Sequence, residues 1–342
     1  WMIDESKRQE ALDNAPYKNP AIPVEERIRD LLGRMTLEEK ARQMDQFRGT
    51  GNIAMEFYPN SGTAMAFGSK VDLGRVREVL GDLGVGCIHD LYPPDAEATN
   101  TVQKYAMEET RLGIPILFSE EALHGHCGPG ATIFPQAIHL ASTWNLETVK
   151  AVGAGIASEM RSLGLHESFS PVIDIARDPR WGRMEETFGE DTYLSARTAV
   201  AMVRGMQGNN LAADDAIIAE PKHFAVYGIP RAGINCGAAH VGEREVRTYF
   251  LPVFEAAFVE GGAMATMCSY NSIDGVPCSA SSWLLDTVLR KEWGFKGFVR
   301  SDLGAIVRLE RDHMVADSGE EAIRQSIEAG MDMQYYDYDH EF

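Results

Sequence analysis

Basic residues are scarce in this sequence. Its 342 residues hold 32 lysines and arginines against 51 aspartates and glutamates, a formal net charge of −19. Phosphate recognition needs clustered cations, so the deficit argues against nucleic acid and anionic membrane surfaces as partners. Long apolar runs are missing as well: no stretch approaches the roughly 18 residues that a membrane-spanning helix requires. The five cysteines, Cys87, Cys127, Cys236, Cys268 and Cys278, form no C-x-x-C pair, which disfavours a zinc ribbon or redox dithiol. Most read as small buried hydrophobes, while Cys268 and Cys278 are near enough to bridge a loop in an oxidising compartment. No H-E-x-x-H motif occurs, and no metal or cofactor is expected. No charged and apolar leader precedes Trp1, so the start is expected to have been processed or trimmed. The compartment stays open, with secretion or the periplasm ahead of the cytoplasm.

What is present is an ordinary folded composition, 44% hydrophobic and 24% charged. Near the N-terminus, Pro23 precedes the amphipathic run VEERIRDLLGRM, and Thr36 with Glu39 makes a capping box opening TLEEKARQMDQF. Residues 49–70 read as an irregular loop. From about residue 85 short apolar runs alternate with helical patterns. The runs fall at 85–89, 114–118, 169–175, 216–219, 263–268, 297–301, 313–316 and 331–335. Eight buried strands alternating with helices imply a parallel sheet closed into a TIM-like (β/α)8 barrel. The expected organisation is an N-terminal helical and loop extension over 1–84, packed on a barrel over 85–342. An open doubly wound sheet is the structural alternative, but no G-x-G-x-x-G follows an early strand.

Barrel active sites lie at the C-terminal strand ends. Reading there gives Ser119-Glu120-Glu121 through Gly125, then Asp174, Arg177, Asp178 and Arg180-Trp181-Gly182-Arg183. Further along come Glu220-Pro221-Lys222-His223-Phe224, Ser269-Tyr270-Asn271 and Ser301-Asp302. Carboxylates and cations converging with aromatics suit a polyhydroxylated ligand, and an ionised carboxylate under an anomeric carbon suits glycosyl transfer. Each residue also has a plainer role. Asp302 could be a helix cap, Lys222 and His223 a solvated pair, and Asp174 and Asp178 holders of neighbouring arginines. Trp181 suits the core, and Glu185, Glu186 and Glu190 suit the surface or the support of the site.

In order, MTLEEKARQM, GIPILFSEEALHG, GATIFPQAIHLASTWN, ARDPRWGRMEETFGED, KHFAVYG, MCSYNSIDGVPCS and LRKEWGFKGFVRSD resemble glycoside hydrolase family 3 over about residues 24–340. The resemblance implies a retaining, exo-acting β-glycosidase releasing terminal β-D-glucosyl residues from an oligosaccharide or β-glucoside, with β-xylosidase as runner-up. It gives Asp302 as nucleophile, and Glu121, Arg183, Lys222, His223, Met267 and Tyr270 as substrate-binding residues. Lys222 and Arg183 are expected to lower the pKa of Asp302. Two departures stand out: Leu303 follows the nucleophile where Trp is common, and Glu121 replaces the Asp usual in β-glucosidases. The acid/base device of the N-acetylglucosaminidase branch is missing from KHFAVYGIPRAG. In multidomain members the acid/base Glu lies on a C-terminal α/β sandwich domain, which is expected but absent from this sequence. A sugar-binding half, active only with a second chain, is therefore the alternative from another class. A homodimer is left open.

Overall fold

The structure, a computed structural model, describes Leu12, residues 14–49, Ile53, and residues 71–91, 95–128 and 130–337. Most of the loop expected over 49–70 lies outside the described residues, as do Tyr338–Phe342.

Ten short strands occur among the described residues: β1 (Gln46–Arg48), β2 (Cys87–His89), β3 (Leu117–Glu120), β4 (Glu167–Ser168), β5 (Ile218–Ala219), β6 (Lys222–Phe224), β7 (Ala265–Cys268), β8 (Ser272–Ile273), β9 (Val276–Pro277) and β10 (Phe298–Arg300). β1 to β5 pair in parallel in sequence order, β6–β7–β10 form a second parallel set, and β8–β9 is an antiparallel hairpin. Val172 bridges to Lys222 and so joins the two sets. At the other end Arg300 bridges to Met333, and the Gln334 N–H reaches the Met44 carbonyl at 2.9 Å, beside β1. With β5 and β6 as one staff and the 333–334 segment as the last, the wall has the eight staves of a TIM-like barrel.

The staves differ from the expected ones in instructive places. Residues 313–316 are no strand: Met314 has φ 55 and stands 76% exposed at the end of the helix Val307–Arg311. Of that run only Ala316 reaches the core, while Met314 and Val315 face outward. The missing stave is β1, which lies inside the segment read as an extension. The capping box forms as read, Thr36 Oγ1 accepting from the Glu39 N–H and Glu39 from the Thr36 N–H. The helix, however, ends at Gln43 and the chain turns straight into β1. Over 169–175 the backbone is extended but pairs mainly through Val172.

Helices cover the wall. The pair Leu146–Ser162 and Thr192–Gln207 packs so closely that a Cβ on Gly205 would sit 2.3 Å from the Lys150 carbonyl oxygen. Inside the barrel lies a polar layer rather than an apolar plug. Arg300, fully buried, donates to Glu220 (3.0 Å), Glu167 and Gln46 and contacts Cys87 and Met333. One guanidinium from β10 thereby touches side chains from β1, β2, β4, the turn after β5, and the last stave. Cys268 and Cys278 are free and buried; the Cys268 thiol points to the Ser269 carbonyl and Ser279, and that of Cys278 to the Ala225 carbonyl.

Candidate active site

The parallel ladder brings the C-terminal ends of β3, β6, β7 and β10 to one mouth, and the polar residues read from the sequence gather there. β6 carries Lys222 and His223, both buried, so the solvated-pair reading is wrong: these side chains come from a wall stave and not from a surface loop. Lys222 Nζ donates to both carboxylate oxygens of Glu121, at 2.7 and 2.9 Å. Glu121 keeps about a third of its side chain open to solvent (34%), against 3% for Lys222, so the ion pair presents its carboxylate outward.

His223 stands between two partners. Arg183 approaches its Nε2 at 3.2 Å, and Asp174 Oδ2 lies 2.8 Å from its Nδ1. A guanidinium only donates, so Nε2 accepts and Nδ1 carries the proton that goes to Asp174. Asp174 also accepts the His223 N–H at 3.1 Å. Burial pushes the Asp174 carboxyl up to about 8 and holds His223 well below the ordinary imidazole value. Asp174 therefore supports the histidine and not the neighbouring arginines. Asp178 does hold Arg180, at 2.8 Å. Arg183 is gripped by both oxygens of Glu186 at 2.8 and 2.7 Å, which gives that glutamate a supporting role.

Asp302 follows β10 and is 6% exposed. Its Oδ1 accepts the Leu303 N–H at 2.7 Å, while Oδ2 has no hydrogen-bond partner and lies 3.6 Å from His223 Nε2. Burial raises its pKa to about 6; Lys222, the Leu303 N–H and Arg183 pull it back only in part. This corrects the expectation of a lowered value. Loss of hydration in the buried site is the largest effect and outweighs the pull of the two cations. Tyr270, after β7, donates to the Leu303 carbonyl at 2.9 Å and so braces the backbone beside Asp302. Met267 is buried on β7 and packs with Phe169 and Tyr335 in the apolar lining. Trp181 is core, as one of its two readings had it, set edge-on to Tyr227, whose ring is edge-on to His223.

Some groups at the mouth escaped the sequence reading. His89 and Asp90, at the end of β2, join Glu120, which the strand-end inventory already held, and the three offer ligand atoms within 4.8 Å of one another. His89 Nδ1 already takes the Tyr335 hydroxyl at 3.0 Å, and burial first, then Arg300, Lys222 and Arg48, hold its pKa well below the ordinary imidazole value. The sequence also holds an H-x-H, His124-Gly125-His126. The two rings serve separate local contacts, His124 with the Phe134 carbonyl and His126 with the Gly128 N–H. Spacing along β2 and β3 was the available signal for the first cluster.

The family model for the glycosyl hydrolase family 3 N-terminal domain matches residues 36–340. The chain belongs to glycosyl hydrolase family 3. It is 38% identical over 324 residues to a putative β-xylosidase of Formosa agariphila, covering 94% of this chain and 42% of that protein. It is 34% identical to a periplasmic β-glucosidase of Salmonella typhimurium, covering 96% of this chain and 40% of that protein. Among solved structures, a β-glucosidase from Erythrobacter marinus superposes with a TM-score of 0.81 at 33% identity, over 94% of this chain and 42% of that one. The chain thus spans about two fifths of the length of these relatives. Among the described residues no helix is long and apolar enough to cross a membrane.

Proposed function

We propose that this chain is the barrel part of a retaining, exo-acting β-glycosidase that removes terminal β-D-glucosyl residues through a covalent intermediate on Asp302. The observation that carries the reading is the Asp302 carboxylate. One oxygen is fixed by a backbone N–H, and the other is buried without a partner, beside His223 and Arg183. A buried acceptor left open at a barrel mouth suits attack on an anomeric carbon.

In this reading Asp302 Oδ2 bonds to the anomeric carbon as the bond to the leaving oxygen breaks, and water later releases the sugar with retained configuration. Lys222, Glu121, His223 and Arg183 hold the hydroxyls of the terminal sugar. Their contacts strengthen as the ring flattens, which is how binding lowers the barrier. Met267 lines the pocket and Tyr270 keeps the turn carrying Asp302 in place. The proton for the leaving group comes from a Glu on a C-terminal α/β sandwich domain or chain; this fits a chain that matches two fifths of its relatives. The domain reading becomes a barrel from β1 onward, preceded by a short helical extension. The name of the Salmonella relative supports a periplasmic or secreted setting.

β-Xylosidase is the second reading, favoured by Glu121 and by the name of the Formosa relative. A reactive-leaving-group 2-deoxy-2-fluoro-β-glucoside, followed by peptide mass spectrometry, tests the mechanism. One sugar on the peptide containing Asp302 is the expected result, and labelling at another residue defeats the assignment. The same experiment with the xyloside ranks the two sugars.

A further inference from the structure

The helix Val307–Arg311, directly after the turn that carries Asp302, has no side-chain cap of its own. Its first amides are instead satisfied by a carboxylate about thirty residues downstream. Asp337 Oδ1 accepts the Ile306 N–H at 2.5 Å and the Val307 N–H at 2.9 Å. Its other oxygen accepts the Ser301 hydroxyl at 2.7 Å and the Tyr335 N–H at 3.4 Å. Ser301 immediately precedes Asp302, so one side chain grips both ends of the 301–307 turn.

We infer that Asp337 is a positioning residue that sets the direction of the Asp302 carboxylate by fastening this turn to the last barrel stave. The inference rests on the proposed role of Asp302. Within the turn the chain is already short of freedom. The Ala305 N–H meets the Asp302 carbonyl at 2.8 Å, and the Gly304 N–H meets the Tyr335 carbonyl at 2.9 Å. Gly304, at φ +65, takes a backbone conformation that side chains avoid. Asp337 is itself anchored, its N–H donating to Gln334 Oε1 at 2.7 Å while Gln334 Nε2 donates to Asp45 beside β1. The 8% exposure of Asp337 makes its donors costly to abandon: the Ile306 and Val307 amides and the Ser301 hydroxyl would lose this acceptor, while the Tyr335 N–H keeps Ser301 Oγ at 2.9 Å. A helix cap alone requires only Oδ1; the bonds to Ser301 and Tyr335 are what tie the cap to the nucleophile turn.

The test compares Asp337→Ala, Asp337→Asn and Ser301→Ala in the full-length protein carrying this chain, using the fluoroglycoside as trapping reagent. Asp337→Ala should slow trapping at Asp302 by about a hundredfold, the cost of roughly 1 Å of misplacement. The reagent's dissociation constant should stay within about threefold, because Lys222, His223 and Arg183 are untouched. Asp337→Asn keeps an acceptor for the helix amides, and its NH2 can donate to the Ser301 hydroxyl oxygen so that the tie to the turn survives; it should recover most of the rate. Hydrogen exchange should quicken in peptides covering 301–307 and stay unchanged in the helix Leu146–Ser162. Should Asp337→Ala fail to fold, Ser301→Ala carries the test, with slower trapping at unchanged affinity. Trapping at the wild-type rate overturns the inference, as does a rate that falls only in step with affinity and thermal stability. Labelling of the wild type away from Asp302 strikes the nucleophile assignment instead, and exchange over 301–307 then reads the clamp separately.

Discussion

Lys222 closes on Glu121 with both carboxylate oxygens, at 2.7 and 2.9 Å, across 101 positions of sequence. Shortening the acid by one methylene cannot keep both bonds and the same reach. Glu121→Asp should therefore open space beside the terminal sugar and raise the glucoside-to-xyloside ratio of kcat/KM by about tenfold, the discrimination one methylene carries. Paired nitrophenyl substrates measure it, and an unchanged ratio removes Glu121 as the source of sugar preference.

Asp302 must be ionised to attack, and burial holds its pKa at about 6. The active form is lost as pH falls through that value, so kcat/KM should decline about tenfold per unit below pH 6. Lys222 and Arg183 pull the value down, so Lys222→Met should move this acid limb to higher pH while lowering the overall rate. A limb near pH 4 in the wild type, or one that stays put in the variant, contradicts the desolvated-nucleophile account.

Asp174 fixes which nitrogen of His223 carries the proton. Asp174→Asn can present its amide oxygen to the ring N–H only by leaving its NH2 in the buried, partnerless place of Oδ1; turned the other way it sets a donor against the ring's donor, and the imidazole must rotate or change tautomer. A loss of about tenfold to hundredfold in kcat/KM is expected, the scale seen when the partner orienting a histidine is removed. Thermal stability should change little, because asparagine matches aspartate in volume. Wild-type kinetics would leave Asp174 a packing residue.

Arg300 is buried against Glu167 and Glu220. Arg300→Leu strands two carboxylates inside the barrel and should cost about 3–5 kcal/mol in denaturant unfolding. Glu220→Gln should cost far less, because burial already pushes Glu220 up to about 8 and the amide still accepts from the guanidinium. Equal losses in the two variants would mean that packing, not charge, dominates this layer.

The barrel rhythm was legible because the staves stand out as short, mostly apolar runs and the helices between them show their 3.6-residue period. The seven ordered motifs marked Asp302, Lys222, His223, Arg183 and Glu121, and the structure brings these together. What stayed hidden has physical reasons. β1 is the three residues Gln-Phe-Arg at the tail of a helical pattern, too short for either period to register. Residues 313–316 have the composition of a strand but follow the end of a helix, with Met314 and Val315 facing outward. Asp174 and Asp337 act through partners 49 and 30 to 36 positions away, which no local spacing encodes. The upward shift of Asp302 depends on how completely the folded chain takes its carboxylate out of water, which no local stretch of sequence records.

Arg300 ends β10 and Asp302 stands two positions further on, and side chains two apart on extended chain share a face. The first organises the interior layer; the second stands just above it at the mouth. A one-residue slip in this stave would turn both away together. Deleting or inserting a single residue between 298 and 302 should therefore give no soluble, inactive barrel but a chain that fails to assemble. Within this stave, correct assembly and readiness for chemistry are one event.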